Sequence, residues 1–353
     1  MAVSGFMRYY ELGKQRRGPA MSLKVAIFGT GEVARKSYLP QLAKCRDITL
    51  SYFNRTREKA VKIAEQYGGW VADSPAELMA DEPDTVLVLT RENQRYDAAM
   101  TLLEFKPKRL FFEKPLVAQR DQANVVEDDF FKAKEILQRA QEQGTETAMV
   151  FNYRFFDQTR RAKRIIDERD FGCPKHVTGL VHYACWSHCI DLIMHFCGPI
   201  AEVTALRSRD GSSGAYAITA AFRLDNDATG TIIGTNNIHF NLPLYELTFA
   251  FAHGRLSTRD LDGDLEVLDY RTNMHEVYGL SRINSRWDQY QASFGKSLHA
   301  YLESIRQGSP PPVPGIAGLY ELQFEAALKR SIAQQRPVNL AEEFPIELPL
   351  TTT

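Results

Sequence analysis

Long apolar runs are missing from this chain of 353 residues. No stretch approaches the roughly 18 apolar residues that cross a bilayer, so no membrane partner is expected. An excess of either charge is missing too, with 43 Lys plus Arg against 44 Asp plus Glu and a formal net charge of -1. That balance offers no bulk attraction to nucleic acid, while leaving room for a local basic pocket. Cysteine is scarce, with 5 in the chain, four of them (Cys173, Cys185, Cys189, Cys197) in one short stretch. The odd count and the absence of a spaced framework argue against a secreted disulfide scaffold and for a cytoplasmic location. Internal repeats and low-complexity tracts are absent. Residues 1–20 are polar and basic and lack the apolar segment of a signal peptide, so they read as a flexible extension.

What is present is an alternation. Leu23 to Phe28 is a short apolar run, followed by Gly29-Thr30-Gly31 and a helical pattern through Leu42. Further strands are expected at Ile48–Phe53, Thr85–Leu89, Arg109–Phe112 and Thr147–Phe151. Helices are expected between them, at Glu58–Tyr67, Tyr96–Phe105 and Phe130–Glu142. This predicts an α/β Rossmann domain with a doubly wound parallel sheet over 21–150. The second half reads differently. Strand-like runs at His176–Ala184, Ala201–Arg209, Ala215–Leu224, Thr229–Thr235 and Tyr245–Ala252 follow one another with few helices between. A C-terminal domain over 151–340 with a mainly antiparallel open sheet is therefore predicted, with helices at His188–Phe196, Trp287–Gln307 and Ala317–Gln334. The last of these is expected to pack near the first domain, with 341–353 as a tail.

Gly29-Thr30-Gly31-Glu32-Val33-Ala34 fits G-x-G-x-x-A. The first glycine permits the tight turn, the second lets backbone approach a pyrophosphate, and the small Ala34 lets the helix pack closely. The helix N-terminus then offers N–H groups to phosphates. The segment after the second strand selects the cofactor. An acidic residue there would bind ribose hydroxyls, but this chain has Asn54-Arg55-Thr56-Arg57. Amide, hydroxyl and guanidinium groups suit a 2′-phosphate, so NADP(H) is favoured over NAD(H).

Three further features stand in order: Glu113-Lys114-Pro115 at a strand end, Asn152-Tyr153-Arg154-Phe155 after the last strand of the first half, and a helix carrying His188, Asp191 and His195 on one face. Together with the glycine turn, they resemble the Gfo/Idh/MocA oxidoreductases over Leu23–Leu340. The resemblance implies that Lys114 hydrogen-bonds the reacting oxygen, that His195 exchanges a proton with it, and that Asp191 binds a substrate hydroxyl and tunes the imidazole. His188 and Arg154 are further substrate-binding candidates, and Glu113 and Thr90 further cofactor contacts. A homodimer or homotetramer through the open sheet is the family-like expectation. The implied function is hydride transfer between nicotinamide and a hydroxyl or carbonyl carbon of a sugar, cyclitol or related small molecule. The alternatives are reduction of a C=N or conjugated C=C bond, as in imine or biliverdin reductases, and a non-catalytic NADP-binding regulator.

The chain also departs from the pattern. Thr90 is retained, but Arg91, Glu92 and Arg95 replace the Pro, Asn and His of the family's loop. The link before His188 is short, so a lid is sought at Met274–Tyr290, with Tyr278, Arg282 and Arg286 available for polar groups. His182, Cys185, His188, Cys189 and His195 have residue types that suit zinc, but they lack a paired C-x-x-C framework. No metal is expected.

Overall fold

A computed structural model describes residues 22–209, 216–235 and 243–348. The expected extension at 1–20 lies outside the described residues, as do Ala215 and the end of the expected tail. Six strands form the first sheet: β1 (Leu23–Phe28), β2 (Ile48–Phe53), β3 (Trp70–Val71), β4 (Thr85–Val88), β5 (Arg109–Phe112) and β6 (Glu146–Met149). Their order is β3-β2-β1-β4-β5-β6, and every pair is parallel. The order reverses beside β1, which opens a crevice at the carboxyl ends of β1 and β4.

The register explains why the sequence motifs meet there. Phe28 pairs with both Phe53 and Val88, and Val88 pairs with Phe112. The residues that follow these positions therefore emerge along one edge: Gly29, Asn54, Leu89 and Glu113. β4 is buried on both faces, as its unbroken apolar run requires.

Helices flank this sheet. Residues 32–42 form α1, whose turn Ala34–Tyr38 is widened to a π-helix before Leu39–Leu42. Then come α2 (Arg57–Tyr67), α3 (Pro75–Ala80), α4 (Arg95–Leu103) and α5 (Glu127–Glu142). Gly68 and Gly69 end α2 with φ of 75° and 92°. A Cβ on Gly69 would stand 2.3 Å from the Leu50 carbonyl oxygen, so only glycine fits this close approach.

The second sheet has nine strands. They are β7 (Pro174–His182), β8 (Ile200–Arg207), β9 (Ile218–Leu224), β10 (Thr229–Thr235), β11 (Tyr245–Phe251), β12 (Gly254–Arg259), β13 (Leu265–Asp269), β14 (Met274–Tyr278) and β15 (Val338–Asn339). Their order is β14-β13-β12-β11-β7-β10-β9-β8-β15. β7 and β10 pair in parallel, and the other pairs are antiparallel. On its inner face the sheet packs α6 (Asp157–Glu168), α7 (Trp186–Cys197) and α9 (Ile316–Gln334), while α8 (Arg286–Gln307) leaves it.

α8 returns to the first domain. Its Phe294 and Tyr301 join Tyr38 and Phe111 in an edge-to-face and tilted aromatic cluster, with centroids 4.8–6.0 Å apart. The Tyr301 hydroxyl also meets the Thr85 hydroxyl at 2.7 Å in the interior. α9 covers the opposite side. Gly315 N–H donates to the Thr147 carbonyl at 2.9 Å, and the Arg330 guanidinium reaches Glu127 of α5 at 2.6 Å.

The segment sought as a lid has other work. Met274–Tyr278 is the edge strand β14, where Arg169 pairs with Glu276 at 2.5 Å and meets the Tyr278 hydroxyl at 3.2 Å. Arg282 pairs with Asp264 at 3.0 Å and Arg286 with Asp260 at 2.9 Å. These charges fasten the loop before α8 to the sheet.

Candidate active site

A cleft of about 1270 Å³ lies along the carboxyl edge of the first sheet. Gly29, Thr30, Gly31, Glu32, Val33, Asn54, Arg55, Thr56, Thr90, Glu113 and Lys114 all line it. Every residue expected to hold the cofactor therefore faces one cavity.

The geometry of the turn fits a dinucleotide. Gly29 has φ of 99°, and a Cβ there would sit 2.9 Å from Thr90 N. A Cβ on Gly31 would meet nothing within 4 Å, so the space above it is open. Thr30 and Thr90 each bury a hydroxyl oxygen with no partner among the described residues, as donors awaiting an acceptor would. Asn54 shapes the turn from the neighbouring strand: Oδ1 accepts from Thr30 N–H at 3.1 Å, and Nδ2 donates to the Thr56 carbonyl at 2.9 Å. Glu32 is tied to Lys36 at 2.5 Å, which holds its carboxyl below the usual range. Arg57 pairs with Asp73, away from the cavity. Lys59 and Lys62 of α2 and Arg35 of α1 line it instead, basic groups outside the motif read from sequence.

The altered loop finds its explanation in Arg95, only 2% exposed. Its guanidinium donates to the carbonyls of Thr90 at 2.8 Å, Glu113 at 2.9 Å, and Pro115. It thereby joins the loop after β4 to the loop after β5. The Lys114–Pro115 peptide is cis. Glu113, itself buried, accepts from the Tyr38 hydroxyl at 2.7 Å and from Lys114 N–H at 3.0 Å. Burial, then the nearby Glu113 charge, pushes the Tyr38 phenol well above its ordinary value. The result is a braced loop that presents the Lys114 side chain to the cleft, where Nζ donates to Gln122 Oε1 at 2.9 Å. Tyr38, Arg95, Gln122, Asn152 and Tyr290 were not anticipated as site residues. Only Arg95 carried a signal, as a departure from the family's loop.

The three residues of α7 have different surroundings. Asp191 is buried and engaged by Arg154 through two hydrogen bonds, at 2.8 Å and 2.5 Å. Burial pushes the Asp191 carboxyl up and the Arg154 guanidinium opposes it. Arg154, on the single turn Asn152–Phe155, is thus occupied by an ion pair. His195 lies two turns along α7, where the charges reaching it come from Arg154, Lys163 and Asp167. Burial, with Arg154 and Lys163, lowers its imidazole to about 4.

His188 is the histidine near Lys114. It is 1% exposed and lies flat on the Tyr153 ring, with centroids 4.0 Å apart and planes 5° apart. Burial first, and the Lys114 charge second, hold its imidazole well below the ordinary value, so it is neutral at pH 7. Its Nδ1 has no partner among the described residues. The Tyr153 hydroxyl meets Cys185 Sγ at 3.1 Å, and burial pushes that thiol up to about 11. Among the described residues, no group of His, Cys, Asp and Glu is placed to hold a metal ion, and no helix is long and apolar enough to cross a membrane.

With this geometry in view, residues 23–151 match the family described as "Oxidoreductase family, NAD-binding Rossmann fold". The match spans the first sheet and its flanking helices, and it is to the Gfo/Idh/MocA family's nucleotide-binding part. The resemblance read from the motifs thus agrees with the family match over residues 23–151. Solved structures share the fold over both halves. An oxidoreductase from Agrobacterium radiobacter, solved with NAD+, L-tartaric acid and magnesium, superposes with a TM-score of 0.76 at 16% identity, over 91% of this chain and 99% of that one. Levoglucosan dehydrogenase with NADH and levoglucosan gives 0.74 at 16%, over 90% and 99%. UDP-N-acetylglucosamine 3-dehydrogenase from Acidithiobacillus ferrooxidans gives 0.71 at 16%, over 88% and 98%.

Replacing Gly29 by alanine forces a Cβ against the Thr90 backbone at a φ that L-residues rarely adopt. Gly29→Ala should weaken dinucleotide binding by at least about 100-fold, roughly 3 kcal/mol, in a fluorescence titration. An unchanged Kd would remove the turn from the site.

Proposed function

We propose that this protein is an NADP(H)-preferring dehydrogenase or reductase of a polyhydroxylated small molecule, such as a sugar or cyclitol. The observation that carries the reading is that Lys114 lines the dinucleotide cleft while its charge reaches the buried, unpartnered imidazole of His188. When bound, nicotinamide supplies or accepts the hydride at a carbon bearing the hydroxyl or carbonyl. The protein must handle the proton on the oxygen. The Lys114 ammonium suits an oxygen that gains negative charge, because it can donate a hydrogen bond to it. His188, neutral and stacked on Tyr153, suits the role of proton acceptor. Asp191 and Arg154 hold α7 in place through their ion pair, and His195 stands apart from this pair of groups. The roles first expected of Asp191 and His195 therefore pass to His188.

Cofactor choice rests on charge. Arg35, Lys36, Arg55, Lys59, Lys62 and Arg91 line the cleft, and no acidic residue follows β2 directly. A 2′-phosphate would find cations there. NADPH should bind more tightly than NADH, and Arg55→Ala should weaken NADPH by about tenfold while sparing NADH. A preference for NADH in the unmodified protein would refute this choice.

Catalysis is tested by the change in nicotinamide absorbance with sugars, cyclitols, keto-sugars and cyclic imines. Lys114→Met and His188→Asn should each lower kcat by about 100-fold or more, and His195→Asn by far less. Equal losses at His188 and His195 would overturn the assignment. Turnover of the imines alone would make the chain a C=N reductase, and binding without turnover a regulator.

The outer face of the second sheet supports self-association. Leu180 on β7 and Ile233 on the adjoining β10 are 41% and 39% exposed, and Leu206 on β8, two strands further on, is 74% exposed. Covering them by a second copy would bury apolar surface and protect the sheet, giving a homodimer or homotetramer. Light scattering at micromolar concentration should return a multiple of 40.1 kDa; a monomer would count against this.

A further inference from the structure

Helix α9 carries an ionisable stripe that the reading above leaves unused. Glu321, Glu325 and Lys329 stand at i, i+4 and i+8 and so share one face. Glu321 is 1% exposed and Glu325 3%. Oε2 of each has no hydrogen-bond partner among the described residues. Glu325 Oε1 accepts from the Trp186 indole N–H at 2.5 Å, and its Oε2 lies 3.9 Å from Lys329 Nζ.

The stripe has two ends with different surroundings. At the inner end, Glu321 lies within reach of the charges of Lys114 and Asp191. At the outer end, Lys329 lines a second cleft of about 960 Å³, walled by Arg120, Tyr183, Arg207 and Tyr216. Lys114 favours ionisation of Glu321, while Glu325, Asp191 and Asp129 oppose it, and burial outweighs them all. For Glu325, Lys329 and Trp186 favour ionisation, Asp129 opposes it, and burial again prevails. Two carboxylates buried one turn apart are costly when both are charged, so the stable state keeps a proton on the pair.

A buried proton beside Lys114 answers a need of the reaction. His188 is nearly inaccessible, and a bound cofactor and substrate would fill the cleft on the Lys114 side. A proton taken from the substrate there has no direct route to bulk water. We propose that Glu321 and Glu325 form a proton relay between Lys114 and solvent in the second cleft. This inference rests on the oxidoreductase reading above. In oxidation, the substrate C–H bond breaks and its electron pair leaves with the hydrogen to the nicotinamide ring. The O–H bond breaks and its proton goes to His188, which passes one to Lys114 as the Lys114 ammonium gives up one of its own to Glu321. Glu321 gives its own proton to Glu325, which releases one to water beside Lys329. One proton leaves for each hydride transferred, and reduction runs the same steps backwards.

The test uses the full chain and the isosteric variants Glu321→Gln and Glu325→Gln. Without cofactor at neutral pH, infrared difference spectra should show a protonated carboxylic C=O band that Glu321→Gln lacks. With a substrate from the panel, Glu321→Gln should lower kcat by at least about tenfold. Its single-turnover hydride step should be preserved and its solvent deuterium isotope effect raised. Added formate or imidazole should restore turnover, which a purely structural defect would not permit. The relay is overturned if the carboxylic band is absent, if Glu321→Gln turns over like the unmodified chain, or if small acids do not rescue it. An unmodified chain that turns over no member of the panel overturns the functional reading, and the relay with it.

Discussion

The site depends on one buried cation. Among the described residues Arg95 has no carboxylate partner in an ion pair, and its guanidinium donates to the carbonyls of Thr90, Glu113 and Pro115. Burial lowers its ordinary value, and the Glu113 charge nearby offsets part of that effect. Removing a group held in this way would leave several carbonyls unsatisfied in the interior, each costing about 1–3 kcal/mol. The guanidinium thus fixes the distance between two strand ends. On one side that distance sets the floor beneath the glycine turn, where Thr90 packs on Gly29. On the other it sets the direction of Lys114.

Much of this was legible in the chain. The strand–turn–helix at Leu23–Leu42 and the bare apolar run at Thr85 are local signals, and parallel register carried their ends to one edge without further instruction. The sites on α7 were harder for a definable reason. Spacing of three and seven residues places His188, Asp191 and His195 on one face, but a face says nothing about level along the axis. His188 and His195 are about 10 Å apart along the helix at 1.5 Å per residue. That rise separates a position beside Lys114 from one beside Lys163 and Asp167. Asp191, between them, is claimed by Arg154, a partner 37 residues away that no local pattern reveals.

The unanticipated strands tell a similar story. β12, β13 and β14 are short and rich in charge: Arg255, Arg259, Glu266 and Glu276 all lie on them. Their alternation is weak because their outer positions are spent on cross-strand ion pairs such as Arg259–Glu266, 3.0 Å apart. Such strands take their definition from neighbours already in place, and a segment so defined reads as a loop when met alone.

The return of α8 to the first sheet has a consequence for how the protein is made. Phe111 and Tyr38 find their aromatic partners in Phe294 and Tyr301, which follow Phe111 by about 190 residues in a contact of very long range. At roughly 5–20 residues per second on the ribosome, that face of the nucleotide domain stays bare for about 10–40 seconds after it emerges. The nascent chain therefore passes through an interval in which its first domain is patterned but uncapped, and its sheet is most exposed to trigger factors, chaperones and its own neighbours.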